Sequence, residues 1–215
     1  SFLAKPMGMF YAIAIVIGCL GIGNMFQSNQ AFQQFLFATG GNTSWFADKG
    51  WLFGLVIASS VGLIIIGGIQ SIAKVTSKLV PFMALTYLIA AVVIIALNAD
   101  RLPWAISAIF TEAFNPQATV GGVLGVMILG IQRAVFSNEA GIGSAPIAHA
   151  AVRTEEPATE GYVSLLEPFI DTIVICTLTA LVILTTVYQP GMESEGVQGI
   201  ELTAQAFKET IGWST

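Results

Sequence analysis

The chain has 215 residues, 55% of them hydrophobic and only 10% charged, against roughly a quarter charged in an ordinary soluble domain. Water is therefore not its main solvent, and the formal charge of −5 comes from too few ionised groups to point to nucleic acid or an acidic substrate. Apolar runs of about twenty residues, the length that crosses a hydrocarbon core as a helix, follow one another, and residues 79–97 are apolar on all sides, which excludes the alternation of a transmembrane barrel. The expected fold class is an all-α membrane protein, with residues 1–215 forming one transmembrane domain.

In chain order, residues 1–6 lack an initiator Met or a targeting signal and run straight into a long span, so the chain is expected to begin in mid-protein. A first span is expected over residues 7–37, long enough to tilt strongly. Its second half turns polar. Asn24, Gln27 and Gln34 recur there at spacings of three and seven, on one helical face. Amides that donate and accept at once suit the orienting of a substrate; interhelical hydrogen bonds are the alternative.

Glycines and polar residues at 40–49 make a turn, with Trp45 and Trp51 placed like interface aromatics. A second span follows at 51–67. After the Gly67-Gly68 connection comes a third, 69–98, with Lys74 and Lys78 at its start and a mild kink expected at Pro81. Residues 99–118 read as a connector containing a short interfacial helix at 104–110. A fourth span is expected over 119–152, broken at 136–146, and a fifth over 161–188. Residues 199–212 have helical spacing and are expected to form an outer-face helix. Lys5, Lys74, Lys78 and Arg153 then fall on one side and Lys49, Arg101 and Lys208 on the other, which favours an inside start. Cys19 and Cys176 lie within apolar runs, where a thiol is a packing group and no disulfide framework is indicated.

The most informative stretch is QRAVFSNEAGIGSAPIAH at 132–149, which places polar residues and glycines where a span should be apolar. Irregular backbone at membrane depth is tolerated only inside protein or along a watery cavity, so Gly141 and Gly143 suggest an unwound break. The carbonyls ending one half-helix can hold a cation or an ammonium group, and the amide hydrogens starting the next can bind a carboxylate. An amino-acid zwitterion and a sodium ion match those two ends. A plain loop at the membrane edge, with Ser137 and Asn138 as turn residues, is the alternative.

Four ionisable groups stand in or near this stretch. Arg133 and Glu139 are close enough in sequence to be expected to pair across the break. Glu167 and Asp171 are one turn apart on the fifth span, and Asp171 lies well inside it. An intramembrane carboxylate there is a cation ligand or proton carrier, or a partner for Arg133 or for a helix outside the chain. No enzyme is expected. The chain has one His, and Ser144, five residues before His149, suits an N-cap ahead of Pro146 better than a nucleophile. The run AGIGSAP lacks the Lys-Ser/Thr pair of a phosphate loop, and no metal-ligand spacing occurs.

These residues resemble a known family. FSNEAGIGSAPIA at 136–148 is similar to the signature segment of the alanine or glycine:cation symporters. GIGNMFQSNQ at 21–30, GGIQSIAKVTSKLVPFMA at 67–84 and EPFIDTIVICTLTALVI at 167–183 resemble the same family in matching order. The resemblance implies a leucine-transporter-like bundle of two inverted five-helix repeats, of which this chain holds about core helices three to seven. It implies sodium-coupled symport of a small neutral amino acid, alanine or glycine, across the cytoplasmic (inner) membrane. Sodium is then the coupling ion, with a proton as a further option, and no other cofactor is implied. The lipid bilayer and the remainder of the same transporter are the implied partners.

Residue by residue, Gln27 matches a substrate-contacting glutamine and Phe136 an aromatic lying against the substrate. Ser137, Asn138, Ala140 and Gly141 fall in the unwound segment, facing substrate or ion. Ser137 and Asn138, together with Glu139 and Asp171, are the candidates for ion binding or coupling. The first core helix and the helices after the seventh are absent, so a sodium position between helices one and eight has no residues here. A channel or a non-transporting amino-acid sensor on the same scaffold is the competing class.

Overall fold

The computed structural model describes residues 4–113, 123–188 and 200–211, and among these every regular element is helical. Residues 114–122, where the connector was expected to end and the fourth span to begin, lie outside the described residues, as do both ends of the expected 199–212 helix.

The first rod comprises α1 (Ala4–Gly18), a π-helical stretch Cys19–Met25 and α2 (Phe26–Ala38). It is followed by α3 (Gly50–Ile65) and α4 (Gly68–Leu97). A short 3₁₀ turn, Ala99–Arg101, leads into α5 (Leu102–Ala113). Next come α6 (Val123–Phe136), α7 (Glu139–Ile142) and α8 (Ala145–His149). The last long stretch is α9 (Pro157–Pro168), a second π-helical stretch Phe169–Ile175 and α10 (Cys176–Thr186), and α11 covers Ile200–Ile211.

Three of these stretches, Lys5–Ala38, Gly68–Leu97 and Pro157–Thr186, are long and apolar enough to cross a membrane. By contrast α3, with 16 residues, rises about 24 Å, short of a hydrocarbon core of roughly 30 Å. The large apolar side chains of these helices are mostly uncovered by protein: Leu63 is 76% exposed and Phe82 70%. Burial in lipid removes that surface from water as effectively as a protein core would. The architecture is that of a multi-pass helical membrane protein. α4 runs unbroken through Pro81.

Each π-helical stretch has a distinct local feature beside it. Pro168 has no N–H for the regular ladder, and the ladder widens directly after it, the Cys176 N–H reaching back to the Asp171 carbonyl. In the first rod, the Asn24 side-chain amide donates to the Cys19 carbonyl at 2.9 Å. Such wide turns are rare and are often found at functional sites.

The chain divides into two compact units. In the first, which runs to Thr76 and includes residues 200–201, α3 packs on α2 through Phe32, Phe35, Phe46 and Phe53. The Phe35 ring lies 4.9 Å from Phe46 and 5.2 Å from Phe53. Gln30 of the same unit accepts the Ile200 N–H at 3.2 Å, satisfying one of the amides that the first turn of α11 leaves open. In the second unit, Ala91 and Ile94 of α4, Val182 of α10, Val187 just after it and Ala206 of α11 form the core, with Tyr87 and Phe207 packed against it. The Tyr87 hydroxyl hydrogen-bonds the Thr179 hydroxyl, and its ring stacks on Phe207 at 5.8 Å. Arg101 donates to the carbonyls of Thr186 and Tyr188 at 3.1 and 3.2 Å, covering the open carbonyls at the end of α10.

Candidate functional site

The helix break lies wholly in the second unit. The ladder of α6 closes with the Ser137 N–H on the Arg133 carbonyl, and the Ser137 hydroxyl donates to the Ala134 carbonyl at 3.0 Å. Residues 137–138 are not helical. The Asn138 carbonyl then accepts from the N–H groups of both Gly141 and Ile142, which starts the four-residue α7. That helix closes when the Glu139 carbonyl accepts from Gly143 and Ser144. Gly143 has φ of +93°, a conformation open to glycine because it has no Cβ. The chain then enters α8.

A second glycine sets how closely α7 approaches α6. A β-carbon on Gly141 would fall within contact distance of the Val135 carbonyl oxygen and 3.0 Å from the Val135 carbonyl carbon and Cα. Only glycine lets the backbone pass there. The turn that results buries Asn138 to 7% exposure and half-buries Phe136 and Ser137, while Glu139 stays exposed.

Two expectations for this stretch are corrected. Among the described residues no ion pair joins Arg133 to Glu139. Arg133 lies on α6 and Glu139 on α7, and the turn between them breaks the register that would set two side chains of one helix on a shared face. Ser144 occupies the N-cap position of α8 but makes no side-chain cap. Its backbone is right-handed helical, φ −85° and ψ −20°, rather than the extended form that aims a cap at N2 or N3, and N2 is Pro146, which has no N–H. The Ser144 hydroxyl oxygen is buried and has no hydrogen-bond partner among the described residues.

The candidate residues are distributed as follows. Phe136, Ser137, Asn138, Glu139, Ala140 and Gly141 are brought together by the break itself. Asp171 lies in the second π-helical stretch of the same unit. Gln27 lies at the start of α2 in the first unit and is exposed. Gln34, on the same helix, has a buried side-chain oxygen without a partner among the described residues.

One cluster escaped the sequence reading. His149, the last residue of α8, places Nδ1 2.6 Å from Oε1 of Glu160 and Nε2 3.5 Å from Oε2 of Glu167. All three side chains are partly buried. Two glutamates seven residues apart share a helical face, and that spacing next to the one His of the chain was the available signal.

Comparison with known proteins gives a consistent pattern. Residues 2–215 match the sodium:alanine symporter family. The sodium/alanine symporter AgcS of Methanococcus maripaludis is 40% identical over 95% of this chain and 44% of its own length. The amino-acid carrier protein AlsT of Bacillus subtilis is 33% identical over 97% of this chain and 43% of its own. A probable sodium/glutamine symporter of the same organism, GlnT, is 34% identical over 97% and 42%. The chain spans less than half the length of these curated relatives.

Proposed function

The chain belongs to the sodium:alanine symporter family, and from that premise we propose that it forms part of a sodium-coupled symporter for a small neutral amino acid, alanine or glycine, in the cytoplasmic membrane. The family is one of transporters rather than enzymes. The observation that carries the reading is the helix interruption at 137–138 and 143–144, inside a chain that matches a symporter family along almost its whole length. The carbonyls ending α6 offer negative poles to the ammonium group and to sodium, and the amides of residues 139 and 140, which start α7, offer donors to the carboxylate. Charge on both ends of the ligand is thereby met by uncharged backbone, which grips a zwitterion without trapping it.

In this reading the fold is the leucine-transporter-like inverted repeat. The rod of α1 and α2 is core helix three, α6 to α8 form the broken sixth, α9 and α10 the seventh, and α11 an outer helix. Gln27 contacts substrate, and Asp171, held in a widened turn, takes part in ion binding or coupling with Ser137, Asn138 and Glu139. Substrate and sodium enter from outside, bind at the break and leave inside as the bundle rocks against its scaffold, driven by the sodium gradient.

Uptake of labelled alanine into proteoliposomes, with and without an inward sodium gradient, tests this. Accumulation that needs the gradient supports symport, flux that ignores it supports a channel, and saturable binding without flux supports a sensor. Competition by glycine and glutamine fixes the substrate size.

A further inference from the structure

We infer that His149 is a positioning residue for the helix break, clamping α8 onto α9 through Glu160 and Glu167 with a proton that the three side chains share. The inference rests on the transport reading above and adds a regulated contact to it.

The chemistry follows from the donors. A neutral imidazole has one N–H and one bare nitrogen, whereas an ionised carboxylate only accepts. Here both ring nitrogens face carboxylate oxygens, at 2.6 and 3.5 Å. Both contacts are satisfied together only when the cluster holds one more proton than neutral His and two carboxylates carry. Loss of that proton aims a bare nitrogen at a carboxylate, and one side of the clamp opens. A metal ion does not fill the same role, because the two oxygens lie at opposite ring nitrogens and no single ion touches all three groups. Among the described residues no metal-holding cluster is present.

Few other charges act on the ring. Glu160 and Glu167, both on α9, are the charged groups that reach it. Asp171, in the π-helical stretch after α9, is the next carboxylate along from Glu167. Within α8 there is no other titratable side chain. Arg153, Glu155 and Glu156 of the connecting loop and Glu139 of α7 are exposed, and none pairs with His149.

The contact matters because α8 has only five residues and is joined to α7 directly through Gly143 and Ser144. A helix of that length does not hold its own orientation in isolation. Fixing its last residue to α9 therefore fixes the far side of the break, including the buried Ser144 hydroxyl.

The test uses the complete transporter in proteoliposomes, with sodium-driven alanine uptake and hydrogen exchange of residues 145–149 measured from about pH 6 to about pH 9. In the native protein, uptake is expected to fall by roughly ten-fold on the alkaline side, the size of one charge-assisted hydrogen bond, and residues 145–149 to lose protection together with it. Glu160→Gln is expected to abolish this pH dependence while keeping uptake. Its amide donates to Nδ1 of the neutral ring, leaving Nε2–H for Glu167, so no extra proton is needed. His149→Ala is expected to be low at every pH. A Glu160→Gln protein with the native pH profile in both measurements overturns the clamp. If exchange follows this pattern but no uptake needs sodium, the transport reading fails and the clamp stands. If uptake needs sodium but neither measurement responds to pH, the clamp fails and the transport reading stands.

Discussion

Gly141 lies so close to the Val135 carbonyl that a β-carbon at position 141 would overlap it. The obstacle is backbone, which cannot swing aside as a side chain does. Gly141→Ala should therefore push α7 off the end of α6, at a cost of about 1–3 kcal/mol. The expected outcome is a lower melting temperature in detergent and a loss of most alanine uptake. Uptake at the native level would mean that the close approach is not needed.

Tyr87 ties α4 to α10 through Thr179 and to α11 through Phe207. Tyr87→Phe keeps the ring contact and removes the hydroxyl, so it should cost about 0.5–1.5 kcal/mol. Phe207→Ala removes the stacked ring and should cost more, about 3 kcal/mol. Thermal melting ranks the two, and neither substitution should change the sodium dependence of uptake, because neither residue is a ligand in this account.

Gln27 stands as a substrate contact on the strength of the resemblance in GIGNMFQSNQ. Gln27→Ala should raise the KM for alanine about ten-fold, the loss of one hydrogen bond of roughly 1.4 kcal/mol, with kcat less affected. Unchanged kinetics would remove Gln27 from the site.

Asp171→Asn tests ion coupling. The amide fills the same space without charge, so the sodium concentration needed for half-maximal uptake should rise at least about ten-fold while alanine affinity at saturating sodium is kept. A native sodium dependence would leave Asp171 a structural member of its wide turn.

The helical class and the uncovered apolar faces were legible because they follow from composition and run length: residues such as Phe82 and Ile66 have no partner to seek except lipid. The wide turns at Cys19–Met25 and Phe169–Ile175 were not, since apolar periodicity does not record which amide reaches which carbonyl. The polar text from Gln132 to His149 marked a place where a regular span is unfavourable, and within it the consequences of local geometry were harder to read. The Arg133–Glu139 pair was expected from spacing alone, yet the turn at 137–138 puts the two residues on separate helices. The Ser144 cap was expected from residue type, yet the backbone at Ser144 is helical and points the hydroxyl elsewhere. The His149–Glu160 contact joins residues across a loop, and contacts of that kind depend on how two helices fold back on each other.

The central claim is that the broken segment around Asn138 grips an amino acid and sodium together. The most direct measurement is thiol labelling of Ser137→Cys in the complete transporter with every other cysteine, Cys19 and Cys176 among them, replaced by Ser. Alanine plus sodium should slow labelling, while alanine in potassium, or sodium alone, should slow it much less. Equal labelling rates under all of these conditions, in a protein that still takes up alanine, would contradict the account.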